Sequence, residues 1–298
     1  VASMSGSLIA QTFLHWGTEA QKQTYLPPMC RGEKLGAAGL TEPGGGSDLG
    51  ALKTTATRDG DCYLLNGEKC FISHGTEADI FVVLASVDLS LGHKGITCFV
   101  VERAFPGFSS RRMQLRAFMR GGIAELAFEN CEVPVENRIG EEGQGFRIMA
   151  SSLDVGRFSV AARAVGSAQA CVDEGLRYAR ERVQFGQEIG RFQLIQEMVA
   201  EMVTSVEAAR LLTYRVGRMK DAGVPRVSRE ASIAKLFATE ANARCASSAM
   251  QMHGAYAIST EFPIGRYFAE SRISLVGEGT NELQKILVAE YALGYRNY

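Results

Sequence analysis

The sequence predicts an α+β protein in three parts: a short helical start, a middle β-domain of barrel or sandwich type, and a C-terminal bundle of four antiparallel helices. Two observations carry this reading. From Gly36 to about Gly145, turn signals interrupt runs rich in β-formers, and past Gly145 the apolar spacing changes to a helical period. Length agrees, because 298 residues with 46% hydrophobic content supply more than one packed core. The expected parts are residues 1–35, 36–145 and 146–298.

The opening "VASMSGSLIAQTF" reads as helix and has no basic region followed by a cleavage site. It starts at Val1 rather than an initiator Met, so the chain is expected to begin inside a domain, and any transit peptide would belong to what precedes it. In the β-domain the clearest strands are Tyr63 to Leu65, Cys70 to Ser73, Ile80 to Ala85, Ile96 to Val101 and Ile123 to Phe128. The turn signals are "DGD" at Asp59 to Asp61 and "NG" at Asn66-Gly67, the second reading as a hairpin. Leu194, Ile195, Met198, Val199, Met202, Val203 and Val206 then follow i, i+3, i+4, i+7 spacing in a helix closed by Gly223 and Pro225. Comparable helices are expected from Ser151 to Arg182, Ser228 to Ala257 and Asn281 to Leu293, and four such helices pack naturally as a bundle.

Charge narrows the function. Lysine and arginine total 32 against 33 acidic residues, a net charge of -1, which supplies no broad basic surface for nucleic acid. The seven cysteines never form a C-x-x-C pair and lie in apolar sequence, as reduced buried thiols of an intracellular protein would. No apolar run approaches the ~18 residues of a membrane-spanning helix, and His74 and His253 lack metal-ligand spacing. No metal, membrane span or nucleic-acid partner is expected.

The segment "GLTEPGGGSDLG" (residues 39–50) places a hydroxyl and a carboxylate ahead of three glycines, leaving backbone N–H groups open to an anion or a flat ring. No Gly-Lys-Ser/Thr follows, so it is not a Walker loop, and a β-run follows in place of a helix, so it is not a Rossmann fingerprint. Alone, it is equally a tight surface turn.

Read with "LNGEKCFISHG" (65–75), "RERVQFGQEIGRFQLIQ" (180–196), "QMHGAYA" (251–257) and "GEGTNELQ" (277–284), this loop resembles the acyl-CoA dehydrogenase family across essentially the whole chain. The resemblance makes residues 1–35 the remnant of an N-terminal α-helical domain. It implies FAD as cofactor, held by Leu40, Thr41, Ser47, Phe71, Ser73, Arg182, Gln184, Phe185, Gln193, Gln251, Gly254, Thr280 and Glu282. Phe71 and Ser73 stand where the family commonly has Trp and Thr, and Ala255 where a second glycine is common. It places the acyl-CoA against Ser47, Asp154, Arg157 and Gly279, with Glu278 as the base that removes the α-proton. Some branches of the family carry the base on an earlier helix, at a position that here is Gly156, so Glu278 remains; Glu42 is expected to be structural. The implied reaction is dehydrogenation of an acyl-CoA to the trans-2-enoyl-CoA. The alternatives are an acyl-CoA oxidase, an enoyl-CoA reductase, or a truncated flavoprotein acting as a scaffold. Electron-transfer flavoprotein is the implied partner, a homo-oligomer, as a tetrameric dimer of dimers, the implied assembly, and a bacterial cytoplasm or mitochondrial matrix the implied location.

Overall fold

The computed structural model describes residues 8–115 and 122–296, so the part of the N-terminal expectation on residues 1–7 lies outside the described residues. By contact density the chain forms two compact units, Val1–Gly156 and Arg157–Tyr298. The division falls inside one long helix.

The first unit begins with two helices, α1 (Ala10–Trp16) and α2 (Glu19–Cys30). Thr18 opens α2 with a capping box: its side chain accepts from the Gln21 N–H, and the Gln21 side chain accepts from the Thr18 N–H. Among the described residues eight strands, β1 (Gly36–Gly39), β2 (Thr55–Asp59), β3 (Cys62–Ile72), β4 (Ile80–Ser86), β5 (Ile96–Glu102), β6 (Phe108–Arg112), β7 (Ala124–Pro134) and β8 (Arg138–Ile139), form one sheet in the order β6-β7-β3-β2-β4-β5-β8, with β1 parallel to β4. The central β4 (Ile80–Ser86) is buried along its whole length. Its side chains alternate between two cores: Phe81, Val83 and Ala85 pack with Tyr63, Leu65, Phe99 and Phe128, while Ile80, Val82 and Leu84 pack with Phe13, Tyr25, Ile148 and Met149. The second set explains why the N-terminal helices and the first turns of α3 (Gly145–Glu181) group with the sheet.

Two readings of the β-domain are corrected. The runs Tyr63 to Leu65 and Cys70 to Ser73 belong largely to one strand, β3 (Cys62–Ile72), and Asn66-Gly67 is a bulge within it, not a hairpin turn. Gly67 has φ 142° and lies against Thr54, where a Cβ would come within 2.7 Å of Oγ1, so glycine is required by a close approach between strands. The hairpin that joins β2 (Thr55–Asp59) to β3 turns instead at Gly60, φ 58°.

In the second unit the end of α3, α4 (Gln193–Asp221), α5 (Ser228–His253) and α7 (Asn281–Ala292) are the four long helices expected. A fifth, α6 (Ile264–Ser274), was not expected and leads directly into the loop of Glu278. Among the described residues no helix is long and apolar enough to cross a membrane.

Candidate functional site

Glu278 sits on the loop between α6 and α7. Thr280 starts α7 by accepting the Leu283 N–H at 3.3 Å, and the Asn281 N–H returns to the Leu275 carbonyl at 2.9 Å, closing the loop on itself. Glu278 and Gly279 have φ of 58° and 86°, two successive left-handed residues. Gln284 Nε2 holds them from inside, 3.0 Å from the Gly279 carbonyl and 3.4 Å from that of Glu278. Gly279 cannot be replaced without strain, because a Cβ there would lie 2.8 Å from Gln284 Nε2.

The Glu278 residue as a whole is half-buried, but its Oε2 is shut away from solvent and has no hydrogen-bond partner. Burial pushes its pKa up to about 7, against the opposing pull of Arg157, Arg163 and Lys235. An unpartnered buried carboxylate oxygen is uncommon in a folded protein and points to chemistry rather than architecture. Glu282, one turn further on, is instead exposed on the first turn of α7, and hydrogen bonding there holds its carboxyl below the ordinary range.

The glycine-rich loop belongs to the first unit. Glu42 and Gly45 exchange both backbone hydrogen bonds, at 3.0 and 3.1 Å, around Pro43-Gly44. Glu42 turns inward, where it accepts from the Lys53 N–H at 2.6 Å, the Thr54 N–H at 3.0 Å, Thr54 Oγ1 at 2.6 Å and Lys69 Nζ at 2.7 Å. Burial alone would push this carboxyl up, but the bonds from Lys69, Thr54 and Lys53 prevail and hold it below the usual range. Lys69 is fully buried and also reaches the Leu40 carbonyl at 3.3 Å, so the pair clamps the base of the loop. Leu40 and Thr41 are half-buried above this clamp, and Ser47 is exposed. Phe71, 60% exposed, lies where β3 shifts register against β7, at φ 57°. Ser73 follows in the next turn.

The second unit contributes a separate cluster. After α3 the chain makes a short hairpin through Gln184, Phe185 and Gly186; Phe185 has φ 52° and is 95% exposed. The Arg182 guanidinium lies over the Tyr256 ring, 5.8 Å from its centre. Gln193 is the first residue of α4, and Gln251 is exposed near the end of α5. Gly254 follows with φ 58° and open space where a Cβ would point. Beneath it, buried His253 stacks on Tyr178 at 4.2 Å and lies within 2.8 Å of the Ala249 carbonyl through Nδ1; burial holds its pKa down. No cluster able to hold a metal occurs among the described residues.

Five non-glycine residues have left-handed φ among the described ones: Phe71, His74, Asn130, Phe185 and Glu278. Three of these had been singled out as site residues and His74 is three positions from one of them. Such conformations cost roughly 1–3 kcal/mol each and persist where surrounding structure imposes them. Exposed strained aromatics, an open glycine backbone and an exposed guanidinium suit a planar, phosphate-bearing cofactor such as FAD. Asp154 and Arg157 fall on opposite sides of the division between units. Lys69, Lys235 and Arg163 were missed in the sequence. Lysines beside the apolar stretches of "KCFI" and "IAKLFA" were the available signal for the first two.

The chain matches the family descriptions "Acyl-CoA dehydrogenase, N-terminal domain" over residues 1–33, "middle domain" over 37–131 and "C-terminal domain" over 143–293. It is 41% identical over 290 residues to the short-chain specific acyl-CoA dehydrogenase of Clostridium acetobutylicum, covering 97% of this chain and 76% of the relative. The butyryl-CoA dehydrogenase structure from Megasphaera elsdenii superposes with a TM-score of 0.94 at 41% identity, covering 98% and 76%. A chain in the structural study of the electron transferring flavoprotein of Acidaminococcus fermentans superposes at 0.95 with 42% identity, covering 98% and 77%.

Proposed function

Given that the chain belongs to the acyl-CoA dehydrogenase family, a family of FAD-dependent oxidoreductases, we propose that Glu278 removes the α-proton of an acyl-CoA thioester as the β-hydrogen leaves. When bound, FAD supplies the acceptor for the β-hydride. The observation that supports the role of Glu278 is its secluded, unpartnered Oε2 and a pKa pushed up to about 7. A carboxylate that is easily ionised near neutrality, yet poorly solvated, is a stronger base than a surface glutamate and loses little hydration when it approaches the α-carbon.

The left-handed conformation of Glu278 and the bonds of Gln284 fix where its side chain leaves the loop. The Glu278 N–H is the protein donor proposed for the thioester carbonyl, on which charge develops as the proton leaves. Leu40, Thr41, Ser47, Phe71 and Ser73 are proposed to face the flavin ring and its phosphate. Arg182, Gln184, Phe185, Gln193, Gln251, Gly254, Thr280 and Glu282 are proposed to hold the remainder of FAD. Arg182 suits phosphate through its fixed fork of donors, and the N-terminus of α7 favours an anion. Ser47, Asp154, Arg157 and Gly279 are proposed to contact the acyl-CoA. Val203, Leu211 and Tyr214, exposed along one side of α4, support assembly as a homo-oligomer.

The test is a pH profile. The base must be ionised, so kcat/KM for a good acyl-CoA is expected to fall as pH drops through about 7. A flat profile between about pH 6 and 8 contradicts the assignment. Supplying electron-transfer flavoprotein or dioxygen to anaerobically reduced enzyme separates a dehydrogenase from an oxidase, and net multiple-turnover reduction of the enoyl thioester sustained by an external electron donor marks a reductase. Absence of any flavin reduction marks a scaffold.

Gly277 bears on acyl preference. Its φ is ordinary and a Cβ there meets only the Ile273 carbonyl, at 3.6 Å, so a side chain fits the backbone. The lack of one leaves room beside Glu278 for a branched, cyclic or polar acyl group. Gly277→Tyr is expected to reduce kcat/KM for such thioesters about tenfold relative to straight short chains. An unchanged ranking in a thioester screen counts against this.

A further inference from the structure

Lys235 lies on α5 and is fully buried, yet among the described residues its Nζ contacts no carboxylate within salt-bridge distance. Its three donors go to three oxygens of one loop: the Leu275 carbonyl at 3.2 Å, the Gly279 carbonyl at 2.9 Å and Asn281 Oδ1 at 2.7 Å. Thr239 Oγ1 supports the arrangement, 2.8 Å from the Lys235 carbonyl and 3.1 Å from Asn281 Oδ1. An ammonium has three N–H groups, so this one is saturated. Those oxygens lie on both sides of Glu278.

Burying an ammonium is costly, and with no carboxylate in contact the cost is offset here by the three hydrogen bonds and by the more distant Glu278, Glu282 and Glu240. A purely architectural position would be filled as well by an apolar side chain if the loop were helical. It is not: two successive left-handed residues leave the Leu275 and Gly279 carbonyls facing inward, where a donor that reaches both is needed.

We infer that Lys235 is a positioning residue for the proposed base: its ammonium gathers the loop on either side of Glu278 and presents a positive charge to the carboxylate. The inference rests on the reading of Glu278 as base. The groups that act on Glu278 are Arg157 and Arg163 from α3 and Lys235 from α5. Those that act on Lys235 are Arg157, Glu278, Glu282 from α7 and Glu240 from α5. Lys235 also bonds the loop itself, through the Leu275 and Gly279 carbonyls and Asn281 Oδ1.

Two variants of the full-length, flavin-loaded enzyme separate the geometric from the electrostatic part. Lys235→Met removes donors and charge; Lys235→Gln keeps two donors and removes the charge. Lys235→Met is expected to lower kcat about 100-fold with KM little changed, the scale of a slightly misplaced catalytic group. In both variants the acidic limb of kcat/KM is expected to move up by roughly one pH unit, because the carboxylate loses a nearby cation. Lys235→Gln should lose less kcat than Lys235→Met. If Lys235→Met does not load flavin, Lys235→Gln decides by its limb. Wild-type kcat and limb in a loaded variant, a lower kcat with the limb unmoved, or failure of both variants to load flavin each overturns the inference in favour of a lysine that only supports the fold. Failure of the base assignment is distinguishable: Glu278→Gln would then keep both turnover and the limb, whereas failure of this inference leaves Glu278→Gln inactive and the Lys235 variants unshifted.

Discussion

Glu278→Gln is expected to lower kcat by about 10³- to 10⁴-fold while the protein still binds FAD, the scale at which a general base contributes. The amide matches the carboxylate in shape but has no basic oxygen at neutral pH. The loop that carries it is held by Gln284, Lys235, Thr280 and Asn281 through atoms other than the Glu278 carboxylate, so the substitution leaves the scaffold in place. Stability should move the other way. The folded pKa of Glu278 is raised from 4.5 to about 7, so its favourable contribution is full at low pH and is lost as pH rises through about 7. At pH above about 8 the ionised, buried carboxylate costs up to about 3 kcal/mol, which the glutamine avoids. Thermal unfolding of the variant above neutrality is therefore expected at a higher temperature than wild type. An inactive protein that is also destabilised at high pH would indicate a structural carboxylate.

Lys69→Met is expected to destabilise the first unit by about 3–5 kcal/mol, the usual cost of removing one partner from a buried ion pair. Methionine fills the same volume, so the loss reports charge rather than a cavity. Glu42 would keep its bonds from Thr54 and the Lys53 N–H but lose the ammonium at 2.7 Å, leaving a buried carboxylate uncompensated. Because Lys69 also holds the Leu40 carbonyl, the glycine-rich loop should loosen and flavin affinity fall with stability. Lys69→Met combined with Glu42→Gln should cost less than Lys69→Met alone, since no uncompensated charge remains. Denaturant unfolding and flavin titration check both. A single variant within about 1 kcal/mol of wild type would show that the pair is not clamping the loop.

Patterns that depend on side-chain spacing were legible. The i, i+3, i+4 series in α4 and the continuous apolar run of β4 both became the expected elements, because burial enforces those periods directly. Short elements were not: β1 is the four residues Gly-Ala-Ala-Gly and β8 only two, recognised through their pairing with β4 and β5. α6 was hidden by Pro263 and Gly265, which read as loop although Pro263 serves as the residue before the helix. At Asn66-Gly67, local turn chemistry was overruled by the close approach of Thr54. Within the site, the resemblance singled out Glu278, but its secluded oxygen and raised pKa arise from packing. The lysines that organise each loop act across 27 residues from Lys69 to Glu42 and 44 from Lys235 to Gly279, distances over which no sequence motif operates.

The measurement closest to the central claim is proton exchange at the α-carbon. With FAD-loaded enzyme and an α-deuterated acyl-CoA under anaerobic conditions, wild type should release α-deuterium to water, and Glu278→Gln should release it no faster than the uncatalysed thioester. Release by Glu278→Gln at the wild-type rate would mean that another group removes the proton.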